Sequence, residues 1–239
     1  MNDLPSRRAR SEQGRALLIL VIILAIATLS LSGWWLNRDS NEMTVDTSVL
    51  KPMPRPVDVP EVQLETAEGE PFGQEAFKGQ WTLLYFGYTL CPDVCPVELG
   101  ALRQVNRLLD EQAPALSQQT QTVFVSVDPE RDTPERIAAF TDYFDPRIIG
   151  VTGESVDLEI LAGPLGVGWS KRANKYKDNA DHEETGNDYL IDHTTAILLV
   201  DPQARLQAVF PTPHGPQPMV DAYRTYQQRY QQQNQEKTP

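Results

Sequence analysis

Both cysteines of the chain lie in one short stretch, "GYTLCPDVCP", at residues 87–96. Cys91 and Cys95 are separated by three residues, and a proline follows each of them. Thiolate sulfur is a soft ligand that selects Cu(I) and zinc, so two thiolates make a linear Cu(I) site or half of a tetrahedral zinc site. The pair can also lie within disulfide distance, for which the Cα–Cα separation reaches about 6.8 Å. The stretch is therefore a candidate redox pair, metal clamp or structural disulfide.

The spacing favours the first two of these roles. A disulfide between residues this close closes a very small loop, and the stabilisation from a disulfide grows with loop length in the chain-entropy description. Ordinary dithiol oxidoreductases have two residues between their cysteines, whereas Cys91 and Cys95 are separated by "PDV". We expect a pair that alternates between a dithiol, which binds metal, and a disulfide, which does not.

A third metal ligand has few candidates, because the chain contains three histidines. Imidazole suits copper in both oxidation states. His193, in "DYLIDHTTAILLVD", directly precedes an apolar run and could lie over the cysteine loop, or it could simply cap a strand. His182 and His214 lie in polar or turn-rich segments, "KDNADHEETGND" and "FPTPHGPQP", and we expect both to be solvated.

The neighbouring elements predict where the cysteines are placed. "WTLLYFGY" is typical of a buried strand, and "PVELGALRQVNRLLDEQ" is typical of a helix. The buried face of that helix is predicted to contain Val97, Ala101, Val105 and Leu108. The cysteines then occupy the turn after a strand, where α/β folds tend to have their sites. Unpaired N–H groups at the helix start favour a Cys95 thiolate, whereas Asp93 disfavours it.

The other elements follow the order of a thioredoxin-like α/β domain. "TVFVSVD" and "RIIGVTG" are predicted strands on either side of a helix, for which Thr133 is the N-cap and Pro134 the first residue. A third helix, "SVDLEILAGPLG", precedes the strands "TTAILLVD" and "RLQAVF", and a last helix begins near Gln217. This order predicts a central mixed sheet covered by helices on both faces.

The first 37 residues have the composition of a membrane anchor. Residues 1–15 contain four arginines and two acidic residues, a net charge of +2, and residues 16–37 contain no charged residue. A transmembrane helix needs about 20 apolar residues, whereas the apolar region of a signal peptide has about 7–15. Because the arginines precede the span, the positive-inside rule predicts a cytoplasmic N-terminus and a body on the other side of the membrane.

Three further segments complete the predicted organisation. Residues 38–60 end in "KPMPRPVDVP" and are predicted to be an extended, Pro-rich tether. Residues 61–228 are long enough for one domain with a substantial core, and residues 229–239 are predicted to be a fraying polar tail. The formal net charge is −12, from 21 basic and 33 acidic residues, which excludes nucleic-acid binding through a basic face.

Two further segments of the domain contain neither the cysteines nor His193. In "VDPERDTPE", Asp128 ends a strand, Pro129 prevents its continuation and Thr133 begins a helix, so we interpret the motif as structural. Residues 168–192 form a long segment rich in both charges. Long loops of this kind are commonly functional, which makes docking or metal gating a plausible role.

Three motifs, in this order behind one N-terminal span, resemble the Sco/SenC family: "GYTLCPDVCP", "VSVDPERDTPE" and "YLIDHTTAILLVDP". The resemblance runs from about Val62 to the last helix. It implies a thioredoxin-like fold and one copper ion, Cu(I) or Cu(II), per chain. The family's ligands, two cysteines and a histidine, correspond to Cys91, Cys95 and His193. Asp93 and Asp192 are candidates for contacts to these ligands.

The resemblance also implies a function. The chain would be a membrane-tethered metallochaperone, rather than an enzyme, that helps assemble the binuclear copper site of cytochrome c oxidase subunit II with copper from a donor protein. In a bacterium, its domain would be periplasmic and its single span would lie in the inner (cytoplasmic) membrane. The alternative is a thiol–disulfide reductase that keeps the recipient's cysteines reduced. Both hypotheses need Cys91 and Cys95, and only the first needs His193.

Overall fold

The computed structural model describes residues 20–28, 45–173 and 189–236. The chain divides into two compact units, residues 1–44 and 45–239. In the first unit residues 20–28 are helical, and the rest of the predicted span 16–37 and the predicted segment 1–15 lie outside the described residues. Within the described ranges, no helix combines the length and the apolar character needed to cross a bilayer. The span and its orientation stay predictions.

An eight-stranded mixed sheet forms the centre of the second unit. Its strands are β1 (Lys51–Asp58), β2 (Leu64–Thr66), β3 (Pro71–Phe72), β4 (Trp81–Gly87), β5 (Thr120–Ser126), β6 (Ile148–Gly153), β9 (Ile197–Val200) and β10 (Arg205–Phe210). A separate two-stranded antiparallel sheet consists of β7 (Trp169–Ala173) and β8 (Tyr189–His193). The order in the large sheet is β1-β10-β9-β4-β5-β6-β2-β3. Its parallel pairs are β4–β5 and β5–β6.

Within the described part of the second unit, five α-helices accompany the large sheet: α1 (Val94–Gln112), α2 (Pro114–Ser117), α3 (Pro134–Phe144), α4 (Ser155–Ala162) and α5 (Pro216–Glu236). A 3-10 turn spans Gln74–Phe77. Helix α1 contacts α3 and α5, and both α3 and α4 pack on β6. The predicted start of α3 is correct, because the Thr133 hydroxyl accepts a hydrogen bond from the Arg136 N–H at 3.3 Å and Pro134 follows it.

The core is centred on β4, all of whose residues are buried. This strand lies between β5 and β9, which is why its sequence is continuously apolar rather than alternating. The buried face of α1 differs from the prediction. Ala101 and Val105 are buried, but Val97 is 67% exposed and Leu108 only half-buried. The buried stripe begins instead at Cys95 and continues at intervals of three and four residues, through Leu99, Leu102, Val105 and Leu109.

The predicted tether, residues 38–60, is wrong over the eight residues of β1. That strand pairs antiparallel with β10 at one edge of the large sheet. Val45, Leu50 and Val59, which flank the strand, are buried in the core. The three prolines of β1 are compatible with pairing because an edge strand needs hydrogen bonds on one side only. The compact unit therefore begins at Val45 rather than Glu61.

The predicted polar tail, residues 229–239, also differs, because α5 continues to Glu236. Its aromatic residues, at spacings of three and four, form one face of the helix. Tyr223, Tyr226 and Tyr230 pack edge-on against Trp81, with ring centroids 5.9, 6.3 and 4.9 Å apart. These contacts tie the end of the chain to the first residue of β4.

Candidate metal centre

The cysteines lie between β4 and α1, as predicted. Both are buried and both are free thiols. The Cys91 N–H donates to the Tyr88 carbonyl at 3.3 Å, which closes a turn directly after β4. The Cys95 N–H then donates to Cys91 Sγ at 3.4 Å. The turn and the first residues of the helix therefore bring the Cys91 sulfur over the N-terminus of α1.

His193 is the last residue of β8, and the structure brings it to the cysteines. Its Nδ1 lies 2.9 Å from the carbonyl oxygen of Thr194, and because a carbonyl can only accept, Nδ1 carries the proton. Nε2 therefore presents a lone pair, and it lies 3.4 Å from Cys95 Sγ. The rings of Tyr85 and Tyr88 meet the imidazole edge-on, with centroids 6.1 and 6.0 Å away. The Thr194 carbonyl fixes the tautomer of the imidazole, and the two tyrosine rings fix its orientation. Metal-binding histidines are commonly fixed in this way.

The three donors fit one small metal ion. One ligand atom each from Cys91, Cys95 and His193 lie within 4.8 Å of one another. Metal–sulfur and metal–nitrogen bonds of zinc-like length, about 2.0–2.3 Å, separate neighbouring donors by about 3.6–4.0 Å. The spacing therefore needs only a small adjustment around an ion. Two sulfurs and one imidazole make a soft donor set that suits copper or zinc rather than calcium or magnesium.

The two thiols have different acidities. The pKa of Cys91 is lowered to about 4, chiefly because the Cys95 thiol donates a hydrogen bond to its sulfur. The N–H groups of residues 95 and 93 act in the same direction, and burial opposes them. The same shared proton and burial raise the pKa of Cys95. The N–H groups at the start of α1 thus favour a thiolate at Cys91, whereas the sequence left open whether Cys95 would be a thiolate.

Residues 56–228 match the family model described as SCO1/SenC. The chain belongs to the SCO1/SenC family. One of its Sco relatives is the mitochondrial Protein SCO2 homolog of Bos taurus, which is 30% identical over 223 residues. These residues cover 92% of this chain and 79% of the bovine protein. The predicted resemblance is confirmed, and it includes part of β1.

Two Sco structures with copper bound superpose on this chain. The ScoI protein of Arabidopsis thaliana is 29% identical, with a TM-score of 0.61, and the match covers 71% of this chain and 98% of that protein. The ScoI protein of Bradyrhizobium japonicum is 30% identical, with a TM-score of 0.59, and the match covers 71% and 99%. The predicted thioredoxin-like α/β fold is confirmed, and Cys91, Cys95 and His193 could form a copper site here.

The two carboxylates predicted beside the Sco ligands point elsewhere. Asp93 is exposed, and it contributes to the site through its backbone N–H. Asp192 is 64% exposed and forms an ion pair with Arg172 at 2.6 Å. Successive residues of a strand face opposite sides, so Asp192 faces away from the side that His193 occupies. Among the described residues, neither carboxylate is hydrogen-bonded to the three donors.

The other histidines of this Sco chain are not at the site. His182 lies outside the described residues. His214 is buried rather than solvated, so that prediction is wrong: its Nδ1 pairs with the Glu98 carboxylate and its Nε2 lies 2.9 Å from the Phe210 carbonyl oxygen. Burial alone would lower the pKa of His214, but these two hydrogen bonds outweigh it, and the pKa is raised. The pair joins α1 to the segment before α5.

Sequence reasoning missed a group of charged residues beside the metal centre. Asp128, Arg131 and Asp132 of the "VDPERDTPE" motif have buried side chains. Charged residues are seldom buried unless they are paired. Besides the local Asp128–Arg131 ion pair, these residues bond to partners more than 40 positions away along the chain, which no local pattern identifies. Two acids and an arginine directly after an apolar strand were the only sequence signal.

Proposed function

We propose that this chain binds one copper ion through Cys91 Sγ, Cys95 Sγ and His193 Nε2, and delivers it as a metallochaperone. One observation carries the proposal: His193 Nε2 lies 3.4 Å from Cys95 Sγ although 98 positions separate the two residues. A histidine that only capped a strand would not need to meet a sulfur. Two thiols and an imidazole suit Cu(I) and Cu(II), and copper-bound members of the same family support the choice of metal.

The site suggests how the ion enters and leaves. Cys95 is 0% exposed and Cys91 is 8% exposed, while His193 is half-buried. An incoming ligand from another protein can therefore approach Cys91 and His193 before it reaches Cys95. The lowered pKa of Cys91 favours its thiolate form, which is the form that binds metal. Exchange of ligands in a direct complex transfers the ion without releasing it into water.

The partners and location follow from family membership together with the sequence. The recipient is the binuclear copper site of cytochrome c oxidase subunit II, and a second protein donates the copper. Residues 16–37 anchor the chain in the inner membrane of a bacterium, with residues 1–15 in the cytoplasm and the copper-binding unit in the periplasm. An acidic chain with a net charge of −12 is not suited to nucleic acid.

Metal analysis of the reduced full-length protein in detergent tests the copper site. We expect about one copper per chain, and we expect Cys91→Ser or Cys95→Ser to abolish binding, because each removes a soft ligand. His193→Ala should weaken Cu(II) more than Cu(I), since two thiolates still suit linear Cu(I). Asp93→Asn is the matched control. It changes an exposed neighbour and keeps the backbone N–H, so it should bind like the parent.

Thiol–disulfide exchange is the second candidate function, and the unequal acidities of the two thiols favour it. A thiolate at Cys91 beside a protonated Cys95 is the arrangement of an attacking and a resolving thiol. A reductase needs no imidazole ligand. If His193→Ala binds Cu(I) and Cu(II) as the parent does, the histidine is not a ligand and the reductase function is favoured. If the parent binds no copper and reduces a disulfide peptide, the metallochaperone proposal is wrong and the reductase remains.

A further inference from the structure

From the contacts around the metal centre we infer that residues 128–132 act as a positioning segment, which sets the distance between the histidine ligand and the cysteine pair. Arg131 is its central residue. The function of this segment rests on the proposed copper site. The contacts that support the inference are those of the metal-free structure. The segment follows β5 and precedes α3, and it contacts the two parts of the chain that carry the ligands.

The need for such a segment arises from where His193 lies. It belongs to the hairpin β7–β8, whose strands pair with each other and not with the eight-stranded sheet. A two-stranded hairpin is marginal by itself. The cysteines, in contrast, follow the central strand β4. Three residues join His193 to β9, which pairs with β4, so the backbone holds one end of β8 near the cysteines. Backbone pairing does not fix the rest of the hairpin against them, and side chains have to do so.

One end of the positioning segment holds the cysteine loop. The Asp132 carboxylate is buried, and it accepts hydrogen bonds from the Thr89 N–H at 2.8 Å and from the Thr89 hydroxyl at 2.5 Å. The Ser126 hydroxyl, at the end of β5, donates to the same carboxylate at 2.5 Å. Thr89 is two residues before Cys91. Asp132 thus fixes the backbone that leads into the cysteine pair against the neighbouring strand.

The other end holds the hairpin. Arg131, with an 8% exposed side chain, donates from Nε to the Asp128 carboxylate at 2.5 Å and from Nη1 to the Tyr189 carbonyl at 2.8 Å. Its guanidinium carbon lies 3.6 Å from the centre of the Tyr189 ring. The Tyr189 hydroxyl donates to the other oxygen of Asp128 at 2.5 Å. Tyr189 begins β8 and His193 ends it, so these contacts fix the strand that carries the ligand.

Tyr88 connects the two ends. The Arg131 guanidinium also lies over the Tyr88 ring, 5.7 Å from its centre. The Tyr88 hydroxyl accepts a hydrogen bond from the Ile191 N–H at 3.2 Å, and its ring packs against His193. Tyr88 itself precedes the cysteine loop. Arg131 therefore contacts Tyr88, which precedes the cysteine loop, and Tyr189, which begins the strand of His193. Replacing Arg131 should change the distance between the imidazole and the sulfurs without removing any ligand.

The decisive variant is Arg131→Met in the full-length protein in detergent. It keeps an unbranched apolar stem and removes the guanidinium with its charge and its donors. In reduced, metal-free protein, we expect to lose the nuclear Overhauser contact between the His193 ring and the Cys95 methylene. With copper, we expect one Cu(I) per chain as in the parent, a shifted thiolate-to-Cu(II) charge-transfer spectrum, and about 10-fold or faster Cu(II) dissociation, the scale seen when outer partners of metal ligands are removed.

Arg205→Met is the matched control. Arg205 also donates to a buried aspartate, Asp201, at 2.7 Å, but it lies on β10 and contacts Tyr230 of α5. A general effect of breaking a buried ion pair should appear in both variants as a lower urea midpoint. The His193 contact and the Cu(II) spectrum should change only in Arg131→Met.

Tyr189→Phe decides the matter if Arg131→Met does not fold. It removes only the hydroxyl bonded to Asp128 and keeps the ring beneath Arg131. We therefore expect a measurable increase in the Cu(II) dissociation rate that is smaller than the increase of about 10-fold or more expected for Arg131→Met. A folded Arg131→Met protein with the parent's His193–Cys95 contact and spectrum overturns the inference, as does parent-like copper release by Tyr189→Phe. If the parent binds no copper, the proposed function fails, while the metal-free contact still tests the positioning.

Discussion

The Gly87→Ala substitution tests how tightly the metal centre is packed. Gly87 is the last residue of β4, and a Cβ added there would lie 2.8 Å from Phe124 Cε2 and 2.9 Å from Cys95 Sγ. It would also lie 3.3 Å from Tyr85 Cε1. The backbone of Gly87 is extended, so alanine is compatible with its conformation and the contacts alone decide the effect.

The size of the effect follows from these distances. Favourable carbon contacts begin at about 3.5 Å, so the Cys95 sulfur has to retreat by about 0.6 Å and the Phe124 ring by about 0.7 Å, in a core where neither side chain has free space. Overpacking of this kind costs about 1–3 kcal/mol. For a unit of this size that lowers Tm by about 2–12 °C. Because Cys95 Sγ lies only 3.4 Å from His193 Nε2, the same movement should disturb the ligand geometry.

Two other glycines separate the possible causes. A Cβ on Gly150 would meet Ile137 and Thr141 of α3, away from the cysteines, whereas a Cβ on Gly100 would meet nothing within 4 Å. Gly150→Ala should therefore lower the free energy of unfolding and leave the Cu(II) spectrum unchanged. Gly100→Ala, inside α1, should raise the free energy of unfolding by about 0.5–1 kcal/mol.

The assay is urea denaturation of the reduced, metal-free protein, followed by copper titration of the folded variants. Gly87→Ala should combine the lower unfolding midpoint of Gly150→Ala with an altered Cu(II) spectrum. Parent-like stability together with a parent-like spectrum would mean that the Cys95 sulfur moves freely, and the packing argument would be refuted.

Three further predictions concern the rest of the chain. The pKa of His214 is raised, so its pairing with Glu98 stabilises the fold fully below about pH 6.5 and less as pH rises through the folded-state pKa. Glu98→Gln should therefore flatten this part of a plot of the free energy of unfolding against pH. An unchanged plot would contradict the pairing. Leu50→Ala should cost about 2–5 kcal/mol in urea denaturation and a chain beginning at Glu61 should be less stable still, whereas a flexible tether would make both changes neutral. A reporter fused after Pro239 should be active only outside the cytoplasm, and a cytoplasmic signal would rule out the proposed anchoring.

Short-range signals predicted much of the fold. The apolar run of β4, the helix that follows it and the Thr133–Pro134 helix start are each encoded within a few residues, and each was predicted close to its position. These elements placed Cys91 and Cys95 in the correct turn. The mixed sheet followed from the order of the elements.

The errors arose where distant residues decide the structure. Prolines in β1 indicate extended backbone, but whether that backbone is a tether or an edge strand depends on β10, about 150 positions later. The end of α5 looked polar because its tyrosines are interspersed with glutamine and arginine residues, and Trp81 is the partner against which they pack. His214 appeared solvated because its partner, Glu98, lies 116 positions earlier, on α1.

The metal site was predictable in type and not in geometry. Two cysteines at the end of a strand indicate soft-metal or redox chemistry by themselves, and His193 entered through its motif. The location of the lowered pKa could not be read from the sequence, because it depends on which sulfur the N–H groups of α1 face. The partners of Asp132 and Arg131 were equally hidden, since they lie 43 and 58 positions away.

The placement of His193 on a separate hairpin has a thermodynamic consequence. An ion held by all three donors would stabilise the docked arrangement of β7–β8 by the difference between its affinities for the docked and undocked arrangements. Linkage is reciprocal, so a protein that binds the hairpin and draws it away from β4 would weaken metal binding by the same factor. A recipient could then take the ion from two sulfurs rather than from three donors. Tight metal binding and fast metal release are then compatible in one protein, because the docked hairpin provides the first and the undocked hairpin the second.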